Sequence, residues 1–320
     1  MTQFGYTMMC EQSGPKDLVH NVLRAEQAGF DFAIISDHYS PWLEAQGHSP
    51  YAWAVLGAAA QATDWIPLMT FVTCPTLRYH PAVVAQKAAT VALLSDGRFA
   101  LGLGAGENLN EHVVGQGWPA ADIRHEMLAE AVEIIHELWG GGYVNFRGEH
   151  FDVESARLYD LPPTPPPMAI AVSGRQSCEL AGEYADAMVA TQPDPQLGAM
   201  FDQFVLAGKS RYGQLAVCYG PDEKAARTKA RDLWRWSAAA WKVMAELPGP
   251  SAFDAYSRFV REDDIAELVP CGPDVDVHVQ AARAFLDAGF THLALVQVGR
   301  DQDDFIDWAE AELLPALRRG

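Results

Sequence analysis

The sequence predicts a (β/α)8 barrel, and two observations support this fold class. Short apolar runs alternate with longer amphipathic segments, the pattern of a parallel sheet covered by helices. Eight such runs occur in 320 residues, which fits eight strand–helix units closing into one barrel. A doubly wound open sheet is the rival architecture. We expect a single domain spanning 1–320, because no low-complexity linker or internal repeat interrupts the pattern.

The predicted strands are short apolar runs bounded by turn residues. They cover 4–9, 32–36, 67–74, 98–104, 168–173, 187–191, 214–220 and 291–299. Runs of this kind are typical of parallel strands that are buried on both faces. Two connections, 141–167 and 236–275, are longer than a barrel needs, and we expect functional insertions there.

The predicted helices lie between these strands. The segment 15–29 opens with Pro15 and closes with Gly29, and the segment 81–95 opens with Pro81. Proline at the first helical position and glycine after the last are the usual helix boundaries. The other predicted helices cover 51–63, 124–141 and 303–317.

Composition excludes several classes of protein. The net charge of −19, from 42 acidic and 23 basic residues, argues against nucleic-acid binding, which needs clustered Lys and Arg. No apolar run reaches the roughly 18 residues of a membrane span, so no membrane association is predicted. The five cysteines are widely spaced and are interpreted as reduced thiols, which indicates a cytoplasmic protein. No metal-ligand spacing occurs, and no metal site is predicted.

Polar side chains follow the predicted strands, at the end where a barrel places its active site. Glu11 follows the first strand, and Asp37, His38 and Trp42 follow the second. His38 is a candidate general base, since the pKa of a histidine lies near working pH. A structural histidine is the alternative interpretation of the same position.

Two turns rich in small residues follow the fourth and fifth strands. The first, GAGENLNE over 104–111, carries the candidate site residues Glu107 and Asn110. An ordinary tight turn without a function is the alternative interpretation. The second, SGRQS over 173–177, opens a helix whose N–H groups could hold a phosphate. An ordinary capping turn with Ser173 as the N-cap is the alternative.

These motifs resemble those of the coenzyme F420-dependent dehydrogenases related to F420-dependent glucose-6-phosphate dehydrogenase, within the luciferase-like superfamily. The similar stretches include AEQAGFDFAIISDHYSPW (25–42), CPTLRYHPAVVAQKAAT (74–90) and GRFALGLGAGENLNE (97–111). The resemblance extends over nearly the whole chain. It implies a luciferase-like TIM barrel with insertions, a small-molecule substrate and a homodimer.

The resemblance also implies chemical roles. It implies coenzyme F420 in the barrel mouth, with FMN as the alternative cofactor of a luciferase-like monooxygenase. His38 would take the hydroxyl proton while a hydride passes from the carbinol carbon to C5 of the deazaflavin. Trp42 would stabilise the intermediate, Glu107 would act as an acid near N1 of the ring, and Glu11 would lie near the substrate.

Further positions match cofactor-contacting residues of that family. They are Asp37, Phe71, Val72, Cys74, Ala105, Gly106, Asn110, Ala171, Val172, Ser173 and Gly174. The resemblance implies a non-proline cis peptide at Phe71-Val72 and a cofactor phosphate held at Ser173-Gly174. A cofactor-binding barrel without catalysis is a third interpretation, and the joint presence of the candidate catalytic residues argues against it.

One loop departs from the sugar-phosphate members of the family. Those members hold the substrate phosphate with basic residues, one of them a lysine in the loop after the sixth strand. Here that loop reads TQPDPQ, with Asp194 near the lysine position. We therefore expect a neutral alcohol or sugar, or a carbonyl reduced in reverse, to fit better than glucose 6-phosphate. Arg258 and Arg261 are the alternative partners for an anionic substrate.

Overall fold

The predicted closed barrel is present. The computed structural model describes residues 2–205 and 208–319. Its strands are β1 (Gln3–Met8), β2 (Phe32–Ile35), β3 (Leu68–Thr70), β4 (Phe99–Leu103), β5 (Val144–Arg147), β6 (Asp152–Ala156), β7 (Met168–Ala171), β8 (Ala187–Ala190), β9 (Ser210–Val217) and β10 (His292–Gln297). All except β5 and β6 pair in parallel in the order β1-β2-β3-β4-β7-β8-β9-β10, and β10 closes on β1. Closure rules out the open-sheet alternative.

Helices cover the outside of the barrel. They are α1 (Pro15–Gln27), α2 (Ala52–Ala62), α3 (Pro81–Leu94), α4 (Asn108–Glu111), α5 (Ala121–Trp139), α6 (Arg175–Tyr184), α7 (Pro195–Phe201), α8 (Glu223–Trp234), α9 (Trp241–Met244), α10 (Pro250–Ser257), α11 (Glu262–Ala266), α12 (Val275–Asp287), α13 (Gln302–Trp308) and α14 (Leu314–Arg319). Short 3-10 turns cover His112–Val114 and Arg235–Ala238. The first four predicted helices correspond to α1, α2, α3 and α5, with ends shifted by a few residues. None of the helices in the described ranges combines the length and the apolar character needed to cross a membrane.

Side chains fill the barrel interior, and a glycine on β1 leaves space for one of them. The interior cluster includes Phe32, Met69 and Val189, all of them buried. Gly5 pairs with Phe32 across β1 and β2, and a Cβ at Gly5 would lie 2.5 Å from the Phe32 ring. Glycine is therefore required there, and the active-site residues stand on a packed, rigid core.

The third predicted strand, 67–74, is longer than the observed one. β3 ends at Thr70, and the next peptide, Phe71-Val72, is cis, as predicted. Thr73 then forms an isolated parallel bridge to Leu103. The apolar run is therefore a short strand followed by a bent segment at the mouth of the barrel.

The two predicted insertions have different structures. The first contains the antiparallel hairpin β5–β6, which the sequence did not predict because its strands are short and largely exposed. The second contains α9, α10 and α11 and the 3-10 turn at Arg235–Ala238. Only the second insertion supplies aromatic residues that pack against the predicted catalytic residue Trp42.

The C-terminal helix is interrupted, whereas the sequence predicted one helix over 303–317. A π-helical segment, Ala309–Leu313, separates α13 from α14. Pro315 has no N–H to donate to the carbonyl group one turn earlier, which explains why regular α-helical bonding fails at this point.

Candidate active site

The residues predicted to be catalytic meet at the barrel mouth, the C-terminal end of the strands. Glu11 follows β1, His38 follows β2, and Glu107 follows β4. Nδ1 of His38 pairs with Oε1 of Glu11, and Nε2 of His38 lies 3.2 Å from Oε1 of Glu107. The imidazole therefore bridges two carboxylates. Its side chain is 12% exposed, so it remains accessible from the mouth.

The Glu11 carboxylate determines the charge on His38. Glu11 is fully buried, and its other oxygen accepts a hydrogen bond of 2.9 Å from the Ser36 hydroxyl. Burial alone lowers the pKa of His38, but the charge and hydrogen bond of Glu11, helped by Glu107, raise it to about 9. Burial by itself would raise the pKa of Glu11. The charge and hydrogen bond of His38, together with the hydrogen bond from Ser36, outweigh burial, so the pKa of Glu11 is lowered. At neutral pH the pair is an imidazolium beside a carboxylate.

Asn110 connects the loop that carries His38 to the loop that carries Glu107. Its amide nitrogen donates to Oε1 of Glu107 at 2.6 Å. Its amide oxygen accepts from the backbone N–H groups of Tyr39 and Ser40, at 2.7 Å and 3.0 Å. Because both ends of the amide are used, Asn110 fixes the separation between the histidine and the carboxylate.

Trp42 forms an aromatic wall beside His38. Its ring stacks on Trp236 with centroids 4.2 Å apart and planes inclined by 4°. Phe253 and His38 approach it edge-on, with centroid distances of 5.0 Å and 5.1 Å. The backbone N–H of Trp42 donates to Oε1 of Gln46 at 2.9 Å, which holds the turn in place. The wall therefore combines one predicted residue with two from the second insertion.

Asp37 lies behind the mouth, where its hydrogen bonds support the loop that carries His38. Its buried carboxylate accepts hydrogen bonds from the side chains of Trp53 (2.9 Å), Thr73 (2.8 Å), Tyr79 (3.2 Å) and Arg78 (3.3 Å). These four donors use both carboxylate oxygens and join the end of β2 to α2 and to the segment after β3. The predicted contact of Asp37 with the cofactor stays a prediction, and positioning His38 is the role its contacts support.

Arg78 and Glu111 extend this support, and neither was among the predicted site residues. The Arg78 backbone N–H donates to Glu111 at 2.9 Å, and the guanidinium Nε lies 3.4 Å from the second carboxylate oxygen. Burial raises the pKa of Glu111 to about 7, although Arg78 opposes the shift. Glu111 is the last residue of the GAGENLNE turn, so the sequence shows the motif, but it does not show that Glu111 pairs with Arg78.

Small residues form the floor of the mouth. Val72, Ala105 and Gly106 follow β3 and β4, Ala171 is the last residue of β7, and all four are half-buried. Gly106 has φ +83°, and a Cβ there would lie 2.4 Å from Sγ of Cys74. The side chains at these four positions are small, as a flat ring lying on them would require. The predicted residues Phe71 and Cys74 are themselves buried beside these positions.

The small-residue turn before α6 differs from its predicted capping. Gly174 is the N-cap, whereas the capping interpretation placed Ser173 there. The backbone N–H groups of Ser173 and Gly174 donate to the Ser177 hydroxyl, at 3.0 Å and 3.2 Å. The following N–H groups, on Arg175 and Gln176, have no partner within the helix and remain suited to an anion. Val172 is buried and donates to β8 through its backbone.

The residues that sequence reasoning missed lie far from the predicted ones along the chain. Ser36 stands in the same motif as His38, but its hydroxyl gave no separate signal. Trp236 and Phe253 lie in an insertion without a regular pattern, about 200 residues after Trp42. Among the residues that the structure describes, no group of three or more His, Cys, Asp or Glu side chains is arranged to hold a metal.

Comparison with known proteins gives consistent matches. The family described as luciferase-like monooxygenase matches residues 2–292. An F420-dependent glucose-6-phosphate dehydrogenase from Microbacterium testaceum is 35% identical over 99% of this chain and 98% of its own. An F420-dependent hydroxymycolic acid dehydrogenase from Mycobacterium tuberculosis is 36% identical over 98% of this chain and 88% of its own. A solved F420-dependent secondary alcohol dehydrogenase, in complex with an F420-acetone adduct, superposes with a TM-score of 0.92 at 31% identity, covering 99% of each chain.

Proposed function

Because this chain belongs to the luciferase-like monooxygenase family and, within it, to the F420-dependent dehydrogenases, we propose that it oxidises a neutral secondary alcohol. It is an oxidoreductase that uses coenzyme F420 and acts on CH–OH groups. One observation carries the finer proposal. His38 lies between Glu11 and Glu107, beside an apolar aromatic wall.

The residues at the mouth fit a deazaflavin. Half-buried Val72, Ala105, Gly106 and Ala171 provide a flat floor of small side chains, as a planar ring requires. The first turn of α6 offers N–H groups to the cofactor phosphate. The indole Nε1 of Trp236 is buried and has no hydrogen-bond partner among the described residues. When bound, F420 supplies the carbon that accepts or donates the hydride, chemistry that side chains do not provide.

His38 exchanges the proton that accompanies hydride transfer. Oxidation of an alcohol requires removal of the hydroxyl proton, and Nε2 of a neutral His38 is the atom that would accept it. Reduction of a ketone requires a proton donor, and the imidazolium paired with Glu11 is already one at neutral pH. Glu107, held by Asn110, lies 3.2 Å from Nε2 of His38, and in its protonated form it is proposed as the acid beside the cofactor.

The surroundings of the site favour an uncharged substrate. Trp42 packs against Trp236 and the fully buried Phe253, and it gives the mouth an apolar side that suits hydrocarbon groups on the carbinol carbon. Asp194, near the position of the family's phosphate-binding lysine, is exposed and caps α7 by accepting from the Gln196 N–H at 2.8 Å. Because Asp194 is anionic, it repels a substrate phosphate.

The two alternative cations are engaged elsewhere. Arg261 is exposed and pairs with Asp264 at 2.6 Å. The Arg258 guanidinium lies 4.5 Å from the ring centroid of Phe259, which is itself exposed. Neither arrangement provides a desolvated phosphate site, so sugar phosphates are not expected to be preferred substrates.

A substrate panel tests the proposal. Purified enzyme with F420 should oxidise 2-propanol and cyclohexanol with kcat/KM at least about tenfold above that for glucose 6-phosphate, a difference of roughly 1.4 kcal/mol. Loss of the visible absorbance of oxidised F420 measures the rate. Glucose serves as the matched control for the phosphate group. A preference for glucose 6-phosphate over both alcohols and glucose would reject the proposed substrate class.

Asp194→Asn separates the effect of charge from the effect of structure. Asparagine keeps an oxygen that caps α7, so folding should be preserved. The ratio of kcat/KM for glucose to that for glucose 6-phosphate should become smaller in this variant.

Binding of the two cofactors is a separate test. If FMN binds tightly and F420 does not, the cofactor assignment itself fails.

The pH dependence of the rate follows from the shifted pKa of His38. The base form appears as pH rises through about 9, so kcat/KM for alcohol oxidation should increase up to that range. The reductive rate should fall over the same range, because the acid form disappears. Steady-state rates measured in both directions between pH 6 and 10 check this.

Glu11→Gln tests the origin of that pH dependence. The substitution removes the charge that raises the pKa of His38 and keeps an acceptor for the Ser36 hydroxyl. The rising limb of alcohol oxidation should therefore move to lower pH. A limb that stays near pH 9 in Glu11→Gln would show that another group controls the rate.

We further propose that the protein is a homodimer in the cytoplasm. An open apolar groove of about 570 Å³ between α1 and α2, lined by Val19, Tyr51 and Val55, is a surface of the kind that oligomers cover. All five cysteines are free and buried, which agrees with a reducing compartment.

A further inference from the structure

Two of the cysteines are direct neighbours in the barrel wall. Cys218 follows the last residue of β9, and Cys271 lies near the end of the second insertion, shortly before α12. The Cys218 N–H donates to the Pro270 carbonyl at 2.9 Å, and the Gly272 N–H donates to the Cys218 carbonyl at 3.0 Å. The two cysteines are therefore paired in an isolated parallel bridge.

This pairing brings the thiols within reach of a disulfide. Adjacent parallel strands lie about 4.8 Å apart, and residues paired across a ladder project to the same face. A disulfide needs Cα atoms roughly 4.4–6.8 Å apart, so no large backbone movement is required.

The two thiols have different access to solvent. Cys218 is fully buried, and its Sγ lies 3.2 Å from the Ala226 carbonyl. Cys271 is 8% exposed and lines a cavity of about 130 Å³, together with Arg227, Pro270 and Asp274. A water molecule occupies about 30 Å³ in the liquid, so the cavity has room for hydrogen peroxide but little room for a bulky disulfide reagent.

The two thiols also differ in pKa, and the more exposed thiol, Cys271, is the one whose pKa is lowered. A hydrogen bond with Cys218 lowers the pKa of Cys271, although burial opposes it, and Arg227 and Lys229 add to the lowering. The same hydrogen bond and burial raise the pKa of Cys218. The thiolate is the reactive form of cysteine, and Cys271 is the more accessible thiol and shares its cavity with the cation of Arg227. Cys271 is therefore the nucleophile of the pair, and Cys218 is its resolving partner.

We propose that Cys218 and Cys271 form a peroxide-responsive dithiol that closes to a reversible disulfide. The Cys271 thiolate attacks one oxygen of hydrogen peroxide, the O–O bond breaks, and the leaving hydroxide takes a proton to become water. The Cys218 sulfur then attacks the resulting sulfenic acid, its S–O bond breaks, and a second water leaves. The two thiols lose two electrons, and the peroxide gains them.

The disulfide would act on the wall of the active site. Cys218, Cys271, Trp42, Trp236 and Phe253 belong to one continuous apolar cluster. The bond would connect the end of the second insertion covalently to β9, and so restrain the segment that carries Trp236 and Phe253. Oxidation should therefore slow proteolysis within 236–271 and raise the midpoint of thermal unfolding, and a thiol reductant should reverse both.

Peptide mapping of the peroxide-treated full-length protein tests the proposal. The reduced protein is treated with hydrogen peroxide, its remaining thiols are alkylated after denaturation, and it is digested without reductant. We expect a crosslinked Cys218–Cys271 peptide and the loss of two of the five free thiols. Cys178→Ser is the matched control, because Cys178 is buried and its pKa is raised to about 11, so this variant should form the same crosslink.

Single variants test the order of the two steps. Cys218→Ser should stop at a sulfenic acid on Cys271, which dimedone traps when the peroxide-treated protein is denatured in its presence, and Cys271→Ser should leave Cys218 unmodified. Five free thiols after peroxide treatment, or a crosslink that involves Cys10, Cys74 or Cys178, would overturn the proposal. Sulfenic acid on Cys218 in Cys271→Ser would overturn the assignment of the nucleophile.

Discussion

His38→Ala should lower kcat for alcohol oxidation by about 10²-fold or more, the usual contribution of a positioned acid–base group. Nε2 of His38 is the proton-accepting atom at the mouth, and its other nitrogen is used by Glu11. The Kd for F420 should stay nearly unchanged, because the small residues of the floor are untouched. Steady-state rates, together with fluorescence titration of F420, measure both quantities.

Controls separate lost chemistry from lost folding. Removing the imidazole leaves Glu11 fully buried without its cation, which is destabilising by itself. The double variant His38→Ala with Glu11→Gln removes that charge, and it should fold well and remain inactive. His20→Ala removes an exposed histidine on α1 and should keep full activity. Wild-type turnover in a folded double variant would remove His38 from the mechanism.

Glu107→Gln should slow hydride transfer by about tenfold to 10²-fold, the lower part of the range for an acid–base group. The change removes a charge that lies 3.2 Å from Nε2 of His38, while the glutamine oxygen can still accept from Asn110. The geometry of the loop is therefore kept, and the electrostatics are changed. Single-turnover reduction of F420 by alcohol measures the step.

Binding decides how the Glu107 result is interpreted. An unchanged Kd for F420 with a slower single turnover supports an electrostatic or proton-donating role. A loss in F420 affinity as large as the loss in rate would instead show that Glu107 holds the cofactor or the loop. Asn110→Ala should give a smaller loss than Glu107→Gln, since it frees the carboxylate without removing its charge.

The stretch from Ser36 to Trp42 shows how much of the site the sequence predicts. The end of a buried apolar strand is visible in the residue pattern, and a barrel places that end at the active site. The structure places His38 and Trp42 side by side at the mouth. The hydrogen-bond partners of Asp37 could not be predicted, because Trp53, Thr73, Arg78 and Tyr79 come from other elements and show no pattern in local spacing.

Contacts between distant segments are what the sequence could not supply. Trp236 and Phe253 lie in an irregular insertion, and only the folded chain stacks them on Trp42. Cys218 and Cys271 similarly look unrelated in the sequence, since a parallel bridge pairs residues at any separation. Helix ends were predicted to within a few residues, whereas the short β3 and the Pro315 interruption depended on local backbone geometry.

Transfer of deuterium from the carbinol carbon to F420 tests the central claim most directly. A secondary alcohol deuterated at that carbon is incubated anaerobically with the enzyme and oxidised F420, and the reduced cofactor is analysed by mass spectrometry. One deuterium should appear in reduced F420 for each ketone formed, with a slower turnover than for the unlabelled alcohol. Label found in water instead, or F420 left oxidised while reduced FMN and oxygen support turnover, would contradict the assignment.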